Sequence, residues 1–419
     1  MEAQPSPDDF ADYSEEEDKK SPEVVPLKST LSVQNTSLEV GIAFDERMLL
    51  HKCFSKRKSE RPERLLAAMG SLIADGIYHK CLPIPVREAP EEAILLAHSK
   101  SHLESLKSIP YDSASHALLP EGVNTSRFFY GTYENLHTYT AAVVSAGCVT
   151  SAVDSMFAAG SEMVSAFCVN RPPGHHAGRD SVAGYCFLNN VAVGVRYAQK
   201  KYGLGKVAII DWDAHHGNET QDIFNEDGTV LYVTMQRYED GNFYPDSGGF
   251  EEVGKGRGEG LMVNIPWNTE AHYKKLAQIS DPDYMLTFRE IVLPILAEFA
   301  PEAIFVSSGF DAMRGDKVGR MQLSPWVYYW MTRQLQKINP RLLLVLEGGY
   351  NLKMLPQGIE HCIKALLGIP VETPAGMEKA APSEFARKSV ERVKKVQSRY
   401  WRCLKDHAAK KVSLSIADK

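Results

Sequence analysis

The chain has few cysteines, and they do not form a pattern that would hold a metal ion or a disulfide framework. Its seven cysteines are scattered over 419 residues, and no two of them stand in a CxxC pair. This argues against a disulfide-stabilised secreted fold and against a thiolate zinc site. It favours a reducing compartment.

Long apolar runs and a secretory leader are also missing from the sequence. No apolar run approaches the roughly 20 residues that span a bilayer. The first residues, Met-Glu-Ala-Gln-Pro, are polar and acidic. We therefore expect a protein of the nucleus or cytoplasm, or of both, that does not bind a membrane. The content of 44% hydrophobic and 24% charged residues is typical of a globular protein with a sizeable core.

The net charge of -6 conceals an acidic beginning and a basic end. Residues 1–30 carry nine acidic and three basic side chains, whereas residues 371–419 carry twelve basic and six acidic ones. Residues 1–36 lack periodic apolar positions and are predicted to be a disordered acidic tail. Residues 371–419 are predicted to be a basic, partly helical tail, because 383–405 has apolar residues at helical spacing. Solvation is the simpler explanation of both tails, and the alternative is that the basic tail touches an acidic partner such as nucleic acid. We expect no direct nucleic-acid binding beyond weak contacts of the basic tail.

Between the tails, apolar runs of strand length alternate with helix-like stretches. The strand-like runs are 40–44, 166–169, 207–210, 230–234, 261–265, 303–307 and 342–346. The helix-like stretches include 64–74, 140–158, 190–201, 284–299 and 326–337. This alternation predicts a single α/β domain over residues 37–370, with a central parallel sheet covered by helices on both faces. The polar segments 109–130 and 236–260 are predicted to be long functional loops.

One polar cluster, Asp-Trp-Asp-Ala-His-His-Gly, directly follows the apolar run 207–210. In open parallel sheets, ligands bind at this carboxyl end of the strands. Asp213 and His215 are two residues apart, so an extended backbone turns both side chains to the same side, where they can bind one ion. Asp211 lies one pleat deeper and could bind a second ion or orient an imidazole. Taken alone, an Asp-x-His pair is better explained as a capped loop.

Three further motifs follow predicted strands and complete a site for metal-assisted amide hydrolysis. Asp311 can join Asp213 and His215, and three protein ligands leave a fourth position for water, as in a catalytic zinc site. The adjacent His175 and His176 can serve as acid and base. Tyr350 can donate a hydrogen bond to a developing oxyanion. In isolation, Asp311 could equally be a helix cap and Tyr350 a core residue.

In their order and spacing, these motifs resemble the zinc-dependent histone deacetylase family, and in particular a class IIb-like catalytic domain. The matching stretches are 171–190, 207–221, 309–319 and 346–352, with weaker similarity over 40–370. The resemblance implies the arginase/deacetylase-like fold and one Zn²⁺ ion per chain. It also implies a deacetylase of histones or other proteins that acts in chromatin and transcription regulation, with histone tails as substrates and corepressor-type complexes as partners.

The resemblance also assigns a role to each motif residue. The zinc ligands would be Asp213, His215 and Asp311. The catalytic group would be His175, His176 and Tyr350, with Asp211 orienting His175 and Asn218 orienting His176. The substrate tunnel would be formed by Gly184, Tyr185, Tyr244 and Val318. Arg64 would lie near the acetate exit. A structural K⁺ or Na⁺ ion would use Asp211 with the carbonyls of Asp213, His215 and Thr234.

The sequence departs from the family pattern at four positions. Glu219 stands where the family usually has glycine, and Lys317 stands in place of proline. Gln236 stands where class II members carry histidine. By the resemblance, Gly131 stands where the family has the Asp or Ser that holds the substrate backbone. None of these departures removes a catalytic group, but they affect the expected substrate preference.

Three alternatives to a protein deacetylase follow from the same residues. An arginase-like ureohydrolase would need two manganese ions and several Asp-x-His-x-Asp signatures, of which 213–217 is the lone candidate. A catalytically idle acetyl-lysine-binding scaffold is disfavoured by Tyr350 and the two histidines. A polyamine or small-molecule deacetylase would resemble relatives that carry a carboxylate at the position of Val318.

Overall fold

A single parallel sheet organises the chain. The computed structural model describes residues 39–53, 58–111, 118–125, 132–271 and 275–405. The eight strands are β1 Glu39–Ala43, β2 Leu82–Ile84, β3 Met163–Cys168, β4 Val207–Asp211, β5 Val230–Arg237, β6 Met262–Trp267, β7 Ala303–Ser308 and β8 Leu342–Leu346. They pair in the order β2-β1-β3-β8-β7-β4-β5-β6, and every pairing is parallel. The predicted parallel α/β sheet is confirmed.

The described residues contain eleven α-helices. They are α1 Glu63–Ala74, α2 Glu91–Ile94, α3 Lys100–Lys107, α4 Thr138–Phe157, α5 Asn190–Tyr202, α6 Asn218–Phe224, α7 Asp281–Thr287, α8 Leu293–Phe299, α9 Pro325–Ile338, α10 Leu355–Leu366 and α11 Glu384–Gln397. A π-helical turn, Phe288–Val292, joins α7 to α8, so the predicted helix 284–299 is an interrupted one. α4 packs on α5, while α1, α10 and α9 form a second packed row.

Helix α4 corrects one expectation about apolar length. With 20 residues it is long and apolar enough to cross a membrane by composition alone. Most of its residues are buried inside the fold, including both faces of the stretch from Ala141 to Val153. A helix that is apolar all round is a core helix when protein covers it on every side. α4 therefore belongs to the core, packed beside β1 and β3.

The C-terminal segment contains the amphipathic helix that its spacing predicts. α11 buries Val390, Val393 and Val396, while most of its cationic side chains are exposed. Its Ser389 hydroxyl donates to the carbonyl of Pro266 at 2.8 Å, and Gln397 Nε2 donates to that of Met262 at 3.0 Å. The helix thus covers the edge strand β6, which would otherwise present unpaired backbone groups. The acidic tail 1–36 lies outside the described residues.

The sheet order explains why motifs far apart in sequence can form one site. The four central strands β3, β8, β7 and β4 are direct neighbours. Each is followed at its carboxyl end by one of the four polar motifs identified in the sequence. Parallel strands present these ends at one edge of the sheet, so the motifs converge there.

Candidate active site

Asp213, His215 and Asp311 form a compact, buried trio at the ends of β4 and β7. Their ligand atoms all lie within 4.8 Å of one another. His215 Nδ1 is 3.0 Å from Asp213 Oδ1 and 2.9 Å from Asp311 Oδ2. The paired register of β4 and β7, with Asp211 opposite Ser307, brings the two strand ends together. The structure therefore assembles the three residues that the sequence proposes as metal ligands.

The oxygen atoms of this trio fit a cation. Asp213 Oδ2 accepts the N–H of Gly348 at 2.9 Å, and Asp311 Oδ1 accepts that of Ala214 at 2.8 Å. Asp311 Oδ2 is buried and has no hydrogen bond of acceptable geometry within the described residues, although His215 Nδ1 is near. A buried carboxylate oxygen left in this way is costly unless a positive charge compensates it. One imidazole and two carboxylates are suitable ligands for Zn²⁺.

The charges within the trio also favour a bound cation. Burial, followed by the charge of Asp213, raises the pKa of Asp311. Although burial opposes it, the carboxylates of Asp311 and Asp213 raise the pKa of His215 to about 9. The trio thus attracts positive charge strongly. A bound cation would neutralise the two carboxylates in place of a proton on His215. It would bind the Nδ1 lone pair and so leave the imidazole neutral.

His175 and His176 lie side by side with different partners, as the resemblance predicts. Their ring centroids are 4.0 Å apart. His175 Nδ1 lies 3.1 Å from Asp211 Oδ2, which also accepts the hydroxyl of Tyr232 at 2.9 Å. His176 Nδ1 lies 2.8 Å from Asn218 Oδ1. One imidazole is therefore paired with a carboxylate and the other with a neutral amide.

These partners separate the two imidazoles in basicity. Burial lowers the pKa of His175, but the charges of Asp213 and Asp211 outweigh it and raise that pKa to about 10. Burial and the neighbouring His175 lower the pKa of His176 well below its usual value. Two neighbouring titratable groups whose environments shift their pKa values in opposite directions are typical of acid and base pairs in active sites.

Glu347 fixes the histidine loop, and the sequence analysis did not identify it. Its Oε2 accepts the N–H groups of Gly174 at 2.6 Å and His175 at 3.2 Å. The side chain is fully buried, and burial raises the pKa of its carboxyl to about 7. Its position directly after the apolar strand β8 is the signal that could have identified it.

Asp316 similarly fixes the loop of Tyr350. Its Oδ2 accepts the N–H groups of Tyr350 at 2.7 Å and Asn351 at 3.1 Å. Its Oδ1 accepts those of Val318 at 2.8 Å and Gly319 at 3.2 Å. The buried Val318, proposed for the rim, is thus tied through its backbone to the loop that carries Tyr350. The Gly-Asp dipeptide after Asp311 was visible in the sequence, but its role was not.

Four aromatic side chains pack around the trio and the two histidines. Tyr185 meets Tyr350 edge-on, with ring centroids 6.0 Å apart. The Tyr244 ring lies 5.1 Å from that of His176 and 6.2 Å from that of His215. Phe243, which sequence reasoning missed, stacks on His215 at 5.2 Å.

Gly184 is required by a close approach. It has φ 50°, and a Cβ added to it would overlap the ring of His176. Any larger residue would displace the proposed base. The next residue, Tyr185, also has a left-handed backbone conformation, with φ 66°, which is uncommon for an aromatic residue. Such local strain is typical of functional segments.

Arg64 lies beneath the site and is fully buried. Its Nε donates to the carbonyl of Gly349 at 2.7 Å, and Nη2 donates to that of Glu347 at 2.5 Å. Its Nη1 pairs with Glu60 at 3.2 Å, and Glu60 also pairs with Arg171 at 2.6 Å. Although burial opposes it, these guanidinium groups, with Arg171 first, hold the pKa of the Glu60 carboxyl well below its usual value. Glu60 and Arg171 were not identified in the sequence analysis.

Three of the four departures from the family pattern fall within the described residues. Gln236 is buried at the end of β5, where its Nε2 donates to Gly248 O at 2.7 Å and fastens the loop that carries Tyr244. Lys317 is exposed beside Val318. Glu219 begins α6 next to Asn218. Gly131 lies outside the described residues.

Comparisons with known proteins agree with this geometry. The model of the histone deacetylase domain family matches residues 58–366. Histone deacetylase 15 of Arabidopsis thaliana is 37% identical over 372 residues, which are 86% of this chain and 62% of that protein. Polyamine deacetylase HDAC10 of Danio rerio is 36% identical, over 87% of this chain and 53% of that protein. Histone deacetylase 7 of Homo sapiens is 34% identical, over 96% of this chain and 44% of that protein. The chain thus spans about half the length of the curated relatives it matches.

A solved structure shares the fold. The crystal structure of the HDA15 HD domain superposes with a TM-score of 0.78 at 36% sequence identity, and the match covers 88% of this chain and 97% of that one. With a family match over most of its length, the chain belongs to the histone deacetylase family, in agreement with the class II resemblance of its motifs.

Proposed function

We propose that the chain is a zinc-dependent protein lysine deacetylase, which hydrolyses the acetyl amide of acetyl-lysine in histones or other proteins. The observation that carries the proposal is the convergence of the buried trio with Tyr350 and with two imidazoles, one facing a carboxylate and the other an amide. Asp213, His215 and Asp311 would hold zinc, which when bound would polarise the acetyl carbonyl and lower the pKa of a water molecule.

The protein groups around the trio have complementary proton roles. With its pKa lowered by burial, His176 would act as a neutral imidazole whose Nδ1–H donates to Asn218 Oδ1, so that Nε2 would take a proton from the attacking water. The same nitrogen later returns a proton to the departing amine. The charged His175 offsets negative charge that develops beside it. Tyr350 donates its hydroxyl to the oxyanion.

Acetyl-lysine suits the walls of the approach. Tyr185 and Tyr244 would flank the four-carbon stem of the substrate with flat aromatic faces. Gly184 would accept the amide N–H through its carbonyl. Arg64, which the resemblance places near the acetate exit, would also keep the Glu347–Tyr350 backbone in position through its two carbonyl contacts.

A polyamine substrate is the second candidate, because one relative is named a polyamine deacetylase. A cationic substrate needs a carboxylate at the rim to offset the desolvation of its ammonium. This chain has Val318 there, with the cation Lys317 beside it. We therefore expect the kcat/KM for an acetyl-lysine peptide to exceed that for acetylspermidine at least tenfold, or about 1.4 kcal/mol. Val318→Glu should move the preference toward the polyamine, and equal constants for the wild type would contradict the proposal.

A K⁺ or Na⁺ ion would bind at Asp211 and support the end of β4.

The remaining expectations concern location, substrates and partners in the cell. We infer activity in the nucleus, the cytoplasm or both, on acetylated proteins such as histone tails and within corepressor-type complexes. Acetylome profiling after replacement of the endogenous protein by a Tyr350→Phe variant would identify the substrates, since acetylation should rise only on true substrates.

A further inference from the structure

Glu219 is a carboxylate inserted next to the residue that holds the proposed base. It is the second residue of α6 and directly follows Asn218, whose Oδ1 faces His176 Nδ1 at 2.8 Å. The family pattern usually has glycine at this position, and a glycine has no side chain with which to make the contacts of Glu219. The side chain is half-buried rather than free in solvent.

The carboxylate of Glu219 lies between the Asn218 amide and the turn 178–181. Asn218 Nδ2 donates to Glu219 Oε1 at 3.3 Å. Burial and then the charge of Asp222 raise the pKa of the Glu219 carboxyl, whereas the nearby Ser181 hydroxyl lowers it. A Cβ added at Gly178 would overlap Glu219 Oε2, so the carboxylate fills the space that this glycine leaves open. Glu219 is therefore held in one place by the turn 178–181 and by the neighbouring amide.

This arrangement determines which end of the Asn218 amide faces His176. The oxygen and nitrogen ends of an asparagine side chain have nearly the same shape, so only hydrogen bonding distinguishes them. A carboxylate only accepts hydrogen bonds, so the NH₂ end must face Glu219. The oxygen end must then face His176, where it accepts Nδ1–H and leaves Nε2 without a proton.

We propose that Glu219 is a positioning residue, which locks the Asn218 amide and thereby holds neutral His176 in the tautomer whose Nε2 can act as a base. The role of Nε2 rests on the proposed function, whereas the tautomer itself does not. With glycine at 219, the amide would be held from the histidine side alone, and the inverted amide would present NH₂ to His176 and favour the other tautomer.

The tautomer can be observed directly in the zinc-loaded protein. In protein labelled with ¹⁵N-histidine, long-range ¹H–¹⁵N spectra should show protonated Nδ1 and unprotonated Nε2 for His176, assigned by the signals that are lost in His176→Gln. In Glu219→Ala and Glu219→Gly, we expect a mixture of tautomers. An unchanged, single Nδ1–H tautomer in both variants would overturn the proposal, even if the wild type showed no turnover. Absence of wild-type turnover on acetyl-lysine peptides would instead contradict the proposed function.

Kinetics give a second, independent readout. Glu219→Ala should lower kcat about three- to tenfold, the range of one hydrogen bond, with KM changed less than twofold. Glu219→Gln keeps an acceptor and should retain more than half of kcat. Asp222→Asn removes an exposed charge one turn along α6 and should have no effect on kcat.

A rescue variant separates positioning from general damage to the loop. Both oxygens of an aspartate accept hydrogen bonds, as Asp211 does beside His175. An aspartate at position 218 would therefore present an acceptor to His176 in either orientation. In the Glu219→Ala background, Asn218→Asp should therefore remove the His176 tautomer that is protonated at Nε2 alone, as read from the ¹⁵N spectra; kcat is not the readout here, because a carboxylate at 218 would also raise the pKa of His176. Failure of this rescue, together with unchanged melting temperatures, would show that Glu219 acts in another way and would overturn the proposal.

Discussion

Replacing Tyr350 by phenylalanine removes one hydroxyl and leaves the rest of the ring in its place. The ring meets Tyr185 edge-on at 6.0 Å, and the Arg64 guanidinium carbon lies 5.1 Å from its centroid. Its backbone N–H donates to Asp316 at 2.7 Å. These contacts do not use the hydroxyl, so we expect the free energy of unfolding to change by less than about 0.5 kcal/mol.

The expected loss of activity is much larger. Burial raises the pKa of Tyr350 well above 10, so at neutral pH the phenol keeps the proton that it would donate. Loss of one oxyanion donor typically lowers kcat by about 10² to 10³, or about 2.7–4 kcal/mol. Because the donor acts mainly on the charge that develops during reaction, KM should change little.

Steady-state hydrolysis of an acetyl-lysine peptide measures this effect. Tyr197→Phe is a matched control, because it removes a phenol on α5 that is hydrogen-bonded only to surface groups such as Asp154 in the described structure. It should leave both kcat and KM unchanged. If Tyr350→Phe kept more than a tenth of the wild-type kcat while remaining folded, the hydroxyl would not be the oxyanion donor.

Four further outcomes are expected. Metal analysis of the purified protein should find about one zinc per chain, with loss in Asp213→Ala and in His215→Ala; two manganese ions would instead indicate a ureohydrolase-like site. His176→Ala should lower kcat at least as much as Tyr350→Phe does, because it removes the base. Burial, then the neighbouring His102, lowers the pKa of His98 to about 3, so the unfolded chain binds this proton more tightly. The contribution of His98 to the free energy of unfolding should be fully present above pH 6.5. It should fall on acidification by up to about 1.4 kcal/mol per pH unit. Urea unfolding at several pH values should find a smaller dependence on pH in His98→Gln. A variant that starts at Ser37 should keep full peptide turnover, whereas one that ends at residue 370 should aggregate, since it exposes the β6 edge that α11 covers.

The sheet was largely predictable because its strands are buried on both faces. Seven near-continuous apolar runs correspond to β1 and β3–β8, and β4, β7 and β8 are buried at every residue. Strand β2 was missed, since it is a three-residue edge strand with two exposed residues and a central proline, Pro83. Strand β5 was placed too short, because its last residues Gln236 and Arg237 are polar although both are buried. Arg237 is compensated by Glu239 at 2.9 Å, a partner that apolar patterning cannot reveal.

The site was predictable where a motif that follows a strand contains groups with a recognisable chemical role. The trio, the two histidines and Tyr350 lie in such motifs, and sheet order brings them together. Their supports were not predictable in the same way. Glu347 also follows a strand, but its partners are distant in the sequence. Glu347 holds the backbone of residues more than 170 positions earlier in the chain, and Glu60 pairs with Arg171 across 111 positions. A lone charged residue carries no sign in the sequence of the distant group that will neutralise it.

The buried charges of Arg64, Glu60 and Arg171 are explained by the backbone around Gly348 that Arg64 contacts. Gly348 must approach Asp213 and Asp311 closely, since a Cβ there would lie 2.6 Å from an oxygen of each. A Gly-Gly segment has no side chains of its own to hold it, so its carbonyls must be fixed from below. Arg64 does this by donating to the carbonyls on either side of Gly348, those of Glu347 and Gly349. A buried guanidinium then needs a carboxylate, and Glu60 with Arg171 completes a hydrogen-bonded group in which each charge has a partner. Arg64, held in turn by Glu60, therefore supports the glycine backbone next to the candidate metal ligands.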